Sequence, residues 1–116
     1  MSHAVPVTTA TFRSVVTESP IPVVVDLWAP WCGPCRAMSP VLDEVALRYA
    51  GRVKVVKVNV DEEPGLAAAF KVQGIPTLAV LRGNTVIDQQ VGFGGRAAIE
   101  QLFARAATSV AVPGVQ

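Results

Sequence analysis

The sequence is poor in cysteine, histidine and aromatic residues, and each shortage argues against a class of protein. Only two of its 116 residues are cysteines, and aromatic residues make up 6%. A small secreted domain held together by disulfides carries more cysteines at wider spacing, so that class is disfavoured. The single histidine, His3, and one cysteine pair fall short of the four ligands that structural zinc takes. We therefore predict no metal site; an iron–sulfur cluster shared between two chains would need a second copy of the pair.

Neither sign of charge dominates, and no apolar run is long. Ten basic and nine acidic residues leave a net charge of +1, whereas a nucleic-acid surface usually has a clustered basic excess. The mean hydropathy is +0.42. The most apolar stretch, 21–30, contains Asp26 and two prolines, and a membrane helix needs about 20 apolar residues. The N-terminus has no basic start followed by an apolar run, so we expect a cytoplasmic protein that binds neither nucleic acid nor membrane.

The length and the periodicity predict one α/β domain. We place it at 1–108, followed by a frayed tail at 109–116, where helical periodicity is lost. The β-branched runs and the helical spacing of apolar residues predict strands at 4–7, 23–29, 52–60, 77–81 and 85–91, and helices at about 8–18, 34–50, 61–70 and 96–107. The first helix would be capped by Thr8 or Thr9, and Pro40 should kink the second. Because 23–29 reads as a strand buried on both faces, we expect three layers around a parallel or mixed sheet.

The two cysteines lie three positions apart, between the predicted buried strand and a helix. A sulfur at a helix start is close to unpaired backbone N–H groups and to the positive end of the helix dipole, which lowers the pKa of its thiol. Cys32 should therefore be the nucleophile, with Cys35 less exposed and close enough to form a disulfide with it. Gly33 permits the tight approach to the helix, and Pro34 suits its first turn. Cysteine-protease chemistry is disfavoured, because nothing holds His3 near a thiol.

Asp26 interrupts an apolar strand a few residues before the cysteines. A buried carboxylate is costly and has a raised pKa, so its presence there favours a proton acceptor and donor for one of the thiols. The alternative is that Asp26 ends the strand and faces water. Lys57 lies in a similar apolar run, and taken alone it reads as an outward-facing lysine on an edge strand. If the two strands are neighbours, the two charges can face each other.

Two further features flank the cysteine pair. Pro76 precedes a predicted strand, where a proline fits the sheet. A cis bond occurs in only about 5–6% of X–Pro pairs, so the residues alone do not predict one. Trp28 and Trp31 are either ordinary core aromatics, or one of them forms the apolar collar of a substrate groove.

Together these motifs resemble the thioredoxin family, of the WCGPC type found in bacteria and chloroplasts. The segment VDLWAPWCGPCR at 25–36 is similar to that family's active-site strand and helix start, and KVNVD at 57–61 to its third strand. GIPT at 74–77 resembles the family's cis-proline loop. The resemblance runs from about Thr11 to Ala107. It implies a thioredoxin fold, a three-layer α/β/α domain with a mixed sheet of about five strands and four helices.

The resemblance also implies a mechanism. Cys32 attacks a client disulfide and Cys35 resolves the mixed disulfide. Asp26 assists proton transfer at Cys35, with Lys57 tuning it. The residues between the cysteines, Gly33 and Pro34, tune the redox reaction.

The family's substrate groove maps onto residues around this pair. Pro76 would be cis, and the groove would be lined by Trp31, Ile75, Pro76, Val91 and Gly92. The implied partners are disulfide-containing clients and a thioredoxin reductase that uses FAD and NADPH. This chain, expected to be a monomer, would itself bind no cofactor.

Three functions compete. A general protein-disulfide reductase is the leading hypothesis, and the resemblance of the Gly-Pro pair between the cysteines to that of the family favours it over a disulfide-forming oxidant or isomerase. The absence of a recognisable export signal agrees, since oxidants work in export compartments. The third is a binding module or subunit of a larger assembly, in which redox turnover is incidental.

Overall fold

A mixed five-stranded sheet forms the middle layer of the fold. The structure is a computed structural model, and it describes residues 4–109. Its strands are β1 (Val5–Pro6), β2 (Val23–Trp28), β3 (Lys54–Asn59), β4 (Thr77–Arg82) and β5 (Thr85–Val91). The helices are a π-helix (Arg13–Thr17), α1 (Gly33–Arg48), α2 (Pro64–Ala69) and α3 (Arg96–Thr108). The strand order is β1-β3-β2-β4-β5. The predicted element order and the mixed sheet are confirmed.

The central strand, β2, is parallel to β3 on one side and antiparallel to β4 on the other. β1 extends the parallel half, and β5 pairs antiparallel with β4. Every residue of β2 except Trp28 is buried. A strand with neighbours on both edges and helices over both faces has no solvent side, which is why its sequence lacks polar alternation.

The two faces of the sheet carry separate apolar cores. Val24 and Val80 point into the core that α1 and α3 cover, whereas Val25 and Ala79 point into the core beneath the π-helix and α2. Successive residues of a strand face opposite sides, so one short strand contributes to both cores. This arrangement gives the three layers that the sequence predicts.

The first helix differs in detail from the prediction. Thr8 and Thr11 bond each other's backbone N–H through their hydroxyls, at 2.9 and 3.3 Å, so Thr8 caps the turn that opens this segment. The helix then widens, and Glu18 donates its N–H to the carbonyl of Arg13 at 2.9 Å, five residues back. Over a single turn, the spacing of apolar residues cannot separate this wider helix from an α-helix.

Two helices have other limits or interruptions. α2 begins at Pro64 rather than at residue 61, because the Asn59 side chain accepts hydrogen bonds from the N–H groups of Asp61 and Glu62 and holds this stretch as a turn. Pro40 lies inside α1, where it has no N–H to donate; the predicted kink stays a prediction. No helix within residues 4–109 is long and apolar enough to cross a membrane. His3 and residues 110–116 of the predicted tail lie outside the described residues.

The hairpin between β4 and β5 turns on Gly83 and Asn84. Gly83 has a φ of +61°, whereas Asn84 does not have a positive φ. Lys71 is the only non-glycine residue among those described that does. Glycine at the first central position is the pattern of a type II′ turn, which matches the twist of the paired strands. The Gly-Asn order therefore has a direct structural reason.

We expect Gly83→Ala to lower the free energy of unfolding by roughly 1–2 kcal/mol, because an L-residue is strained at this φ. Denaturant titration measures the change. Gly65→Ala is the matched control: Gly65 lies in α2, has an ordinary φ and leaves open space for a Cβ. Alanine there should raise stability by up to about 1 kcal/mol. Equal effects at the two positions would contradict the assignment of the turn.

Candidate functional site

The two cysteines form a disulfide at the N-terminal end of α1, with their Cα atoms 5.2 Å apart. Cys32 is the N-cap residue, and its Sγ accepts a hydrogen bond from the backbone N–H of Cys35 at 3.2 Å. Pro34 occupies the first turn, where its missing N–H has no helical partner to lose. The helix therefore presents a backbone donor to the first sulfur, as its position predicts.

The expected difference in exposure between the cysteines is absent in this disulfide form. Cys32 and Cys35 are each 4% exposed, and both pack with Ala29 and Ile75 in one small apolar cluster. A bond between the sulfurs draws them into the same surroundings. The two sulfurs differ in their hydrogen bonds, because only Cys32 Sγ accepts a backbone N–H as the helix N-cap. The lower pKa of the Cys32 thiol in the reduced protein stays a prediction.

Asp26 lies in the middle of β2 and is 3% exposed. The alternative, that it ends the strand and faces water, is wrong. Burial raises the pKa of Asp26 from 3.8 to about 7. The charge of Lys57 opposes this rise in pKa, and that of Asp43 adds to it. A carboxyl group with this pKa can both accept and release a proton near neutral pH.

Lys57 is the register partner of Asp26 on the adjacent parallel strand β3. The two strands are neighbours, so the condition under which these charges face each other is met. Lys57 is not on an edge strand, because β1 covers the other side of β3 and pairs Pro6 with Lys57. Its Nζ lies 4.7 Å from the centre of the Trp28 ring, within range of a cation–π contact.

A cavity of about 70 Å³ joins the carboxylate to the second cysteine. It is lined by Asp26, Trp28, Cys35, Arg36, Ser39 and Lys57. The cavity has room for a water molecule, whose share of liquid volume is about 30 Å³. The cavity thus leaves space for one water molecule to pass a proton between Asp26 and Cys35.

The loop before β4 and the end of β5 lie beside the disulfide. The Ile75–Pro76 bond is cis, as the family resemblance implies. Ile75 packs against the cysteine cluster, and the N–H of Gly92 donates to the carbonyl of Pro76 at 2.7 Å. Gly92 has a φ of +83°, and Val91 next to it is exposed. The structure thus brings the two predicted loops of the groove together.

The two tryptophans have different surroundings. Trp28 is partly buried and packs against the cysteine cluster. Trp31 is 65% exposed, and its Nε1 donates a hydrogen bond to Oδ2 of Asp61 at 2.7 Å. Trp31 is thus the one that offers an apolar surface beside the disulfide. Sequence reasoning missed Asp61 as its partner; the only available signal was that Asp61 follows β3, whose carboxyl end lies beside that of β2.

Sequence reasoning also missed the residues of α1 that line the Asp26 cavity. Arg36 directly follows the second cysteine, and its Nη1 donates to the carbonyl of Pro30 at 2.8 Å. Ser39 lies one helical turn after Cys35, and this spacing places the two side chains on the same face of the helix. That spacing was the signal that could have found Ser39.

A cysteine pair that forms a disulfide at a helix N-terminus, beside a buried carboxyl group, is suited to thiol–disulfide exchange. The fold and the site together define a protein-disulfide oxidoreductase. Among residues 4–109, no cluster of three or more histidine, cysteine or acidic side chains is arranged to hold a metal ion.

Comparison with known proteins specifies the family. The sequence profile of the thioredoxin family matches residues 3–105. Thioredoxin 1 of Synechococcus elongatus is 53% identical over 92 residues, and thioredoxin 1 of Nostoc sp. is 51% identical over 92 residues. Each alignment covers 79% of this chain and 86% of the relative. The chloroplastic M-type thioredoxin of Chlamydomonas reinhardtii is 46% identical over 91 residues, covering 78% of this chain and 65% of that protein.

The chain belongs to the thioredoxin family. It is a dithiol protein-disulfide reductase, as the motifs predict. The redox group of this family is the cysteine pair itself, and its members bind no cofactor. In general, their partners are a reductase that restores the dithiol and proteins that carry disulfides.

The buried carboxylate makes stability depend on pH. The unfolded chain releases the Asp26 proton near pH 3.8 and the folded protein near pH 7, so the folded state holds more protons between these values. The free energy of unfolding should therefore fall as pH rises through this range, by about 4 kcal/mol for this group.

We expect Asp26→Asn to raise the free energy of unfolding at pH 7 by roughly 1–3 kcal/mol, less than the full pKa shift because a buried amide also lacks partners. Denaturant titration from pH 4 to pH 8 measures both the gain and its pH dependence. Asp88→Asn is a control, since Asp88 lies in an exposed ion pair with Arg105. A gain at pH 7 that persists unchanged at pH 4 would show that ionisation of Asp26 is not its cause.

Proposed function

We propose that this chain is a general protein-disulfide reductase in which Cys32 attacks and Cys35 resolves. The observation that carries the assignment is the N-cap position of Cys32, whose Sγ accepts the N–H of Cys35. A donor aimed at the sulfur stabilises the thiolate more than the thiol, which lowers the pKa of the thiol. Cys35 lies inside the first turn, without a comparable donor among the described hydrogen bonds.

The reaction proceeds in two exchanges. The Cys32 thiolate bonds to one sulfur of the client disulfide, and the other client sulfur leaves as a thiolate. Cys35 then gives up its proton and its sulfur attacks Cys32 Sγ, so the mixed disulfide breaks and the first client sulfur leaves. The client gains two electrons, and the protein ends as the Cys32–Cys35 disulfide.

Asp26 takes the proton of Cys35 in the second exchange. Its pKa of about 7 makes the carboxylate a usable acceptor near neutral pH and the protonated form a usable donor in the reverse direction. Lys57 keeps the pKa of Asp26 from rising further. The small cavity shared by Asp26 and Cys35 supports this path.

The client lies across the loops beside the disulfide. Trp31 and Val91 are exposed apolar side chains, and Ile75 packs against the cysteine cluster next to Pro76. An extended client segment would pack on these residues and pair with the backbone of the 75–76 loop, while Gly92 leaves room for close approach. Gly33 and Pro34 are exposed beside the disulfide and tune its reactivity through the geometry of the first turn.

The working setting follows from this chemistry. The oxidised chain is returned to the dithiol by a thioredoxin reductase that carries FAD and draws electrons from NADPH. The chain acts in the cytoplasm, since a dithiol reductant needs a reducing compartment. It acts there as a monomer. The alternative is a binding module that uses the Trp31 surface and in which redox turnover is incidental.

Turnover separates these two functions. With NADPH, a bacterial thioredoxin reductase and a protein disulfide present, the chain should sustain NADPH oxidation well above the rate without it. The variant with both Cys32→Ser and Cys35→Ser should return the rate to that background, since no sulfur can then carry electrons. A chain whose NADPH oxidation equals that of the double variant would support the binding module instead.

The order of attack is tested by trapping. We expect Cys35→Ser to accumulate disulfide-linked complexes with a client on non-reducing gels, because the first exchange proceeds and the resolving thiol is absent. Cys32→Ser is the matched control and should give few such complexes. The reverse result, with complexes only in Cys32→Ser, would invert the two roles.

A further inference from the structure

Ser39 is placed to act on the buried carboxylate, although neither its sequence context nor the mechanism above assigns it a role. It lies on α1 one turn after Cys35, on the helix face that covers β2. Its side chain lines the cavity of about 70 Å³ together with Asp26 and Cys35. This hydroxyl thus opens onto the space through which the proton moves.

Both groups have unused hydrogen-bonding capacity. Asp26 Oδ1 is buried and accepts no hydrogen bond from any group within residues 4–109, Ser39 included. The Ser39 hydroxyl has no hydrogen-bond partner among the same residues. A serine hydroxyl rotates about a single bond and can donate or accept. Among the other donors that line this space, Lys57 lies over the Trp28 ring and Arg36 donates to the carbonyl of Pro30, whereas the Ser39 hydroxyl is free to serve the unsatisfied carboxylate oxygen.

We propose that, when Asp26 ionises, the Ser39 side chain turns so that its hydroxyl donates a hydrogen bond to the carboxylate, and that this bond sets the pH at which Asp26 changes from proton donor to proton acceptor. This inference rests on the proposed proton role of Asp26. Ser39 is a positioning residue: its own proton stays on its oxygen, and the transferred proton passes from the Cys35 thiol to the carboxylate.

The sign follows from the strength of the bond in each state. Hydrogen bonds to an ionised carboxylate are roughly twice as strong as those between neutral groups. The hydroxyl therefore favours the ionised form and opposes the rise in pKa that burial causes. Without it, Asp26 would keep its proton to higher pH and would be a poorer acceptor for Cys35 at neutral pH.

The other charges around Asp26 come from two elements. Lys57 approaches from β3 and lowers the pKa of Asp26, whereas Asp43 on α1 raises it. Arg36 on α1 also lines the cavity. None of these groups changes in a Ser39 variant, so a shift in the titration of Asp26 reports on the hydroxyl.

The test uses the oxidised full chain, in which the cysteines are joined and do not titrate. The free energy of unfolding is measured by denaturant titration at intervals from pH 4 to pH 9.5. In the parent protein its fall with pH should end at the folded-state pKa of Asp26, below the value of about 7 that burial and the neighbouring charges alone give this group. In Ser39→Ala we expect that end point to move up by about 1 pH unit, the size of one charge-assisted hydrogen bond.

Two variants make the shift specific. Ser39→Thr keeps the hydroxyl and should keep the parent end point, even if its extra methyl changes overall stability. In an Asp26→Asn background, Ser39→Ala should leave the pH dependence unchanged, because the group it acts on is gone. An unshifted Ser39→Ala, an equal shift in Ser39→Thr, or a shift that survives Asp26→Asn would each overturn the proposal.

Turnover then distinguishes this inference from the proposed function. If both hold, the pH profile of disulfide reduction should move upward in Ser39→Ala by the same amount as the stability profile. If Ser39→Ala shifts the stability profile while Asp26→Asn has normal turnover, that pair of results would support the bond between the Ser39 hydroxyl and the carboxylate. It would overturn the proton role of Asp26 and, with it, the functional half of the inference.

Discussion

The burial of one carboxylate in the central strand is the constraint on which the site depends. β2 lies between β3 and β4 and under α1, so Asp26 has no route to bulk water along the sheet. An ionised carboxylate in such a place is unstable, and the protein accommodates it by raising its pKa to about 7 rather than by pairing it closely. The fold thus holds a destabilising group in the cavity that Cys35 also lines.

The direction of β2 positions the rest of the site. The strand ends at Trp28, and the turn after it leads into α1, so the N-terminus of that helix sits above the carboxyl end of the sheet. Cys32 caps the helix and Cys35 faces inward toward the Asp26 cavity. One short connection therefore gives the two sulfurs different neighbours. The first meets a backbone donor, and the second meets the cavity that the buried carboxyl group of Asp26 also lines.

At Asp26 the burial of an ionisable group lowers the stability of the fold. The apolar cores on both faces of the sheet are continuous and closed by α1 and α3 on one side and by the π-helix and α2 on the other. Ion pairs between α1 and α3, such as that of Arg48 with Glu100 at 2.6 Å, lie at the surface and contribute little. The apolar cores stabilise the fold enough to offset the cost of one buried carboxylate. Trp31 and Val91 are large apolar side chains that the protein leaves exposed.

The sequence by itself determined the elements and the reactive pair, because each of these depends on residues close together in the chain. The apolar run at β2, the cysteines at a helix start, and the Gly-Asn turn all carry local signals, and the resemblance extended them to a whole fold. Only the tertiary structure decided what meets across long separations. It placed Lys57 beside Asp26, brought the Pro76 loop to Gly92, and joined Trp31 to Asp61. It also decided how deeply Asp26 is buried, and therefore its pKa, because desolvation depends on every element packed around the carboxylate and not on its neighbours in sequence.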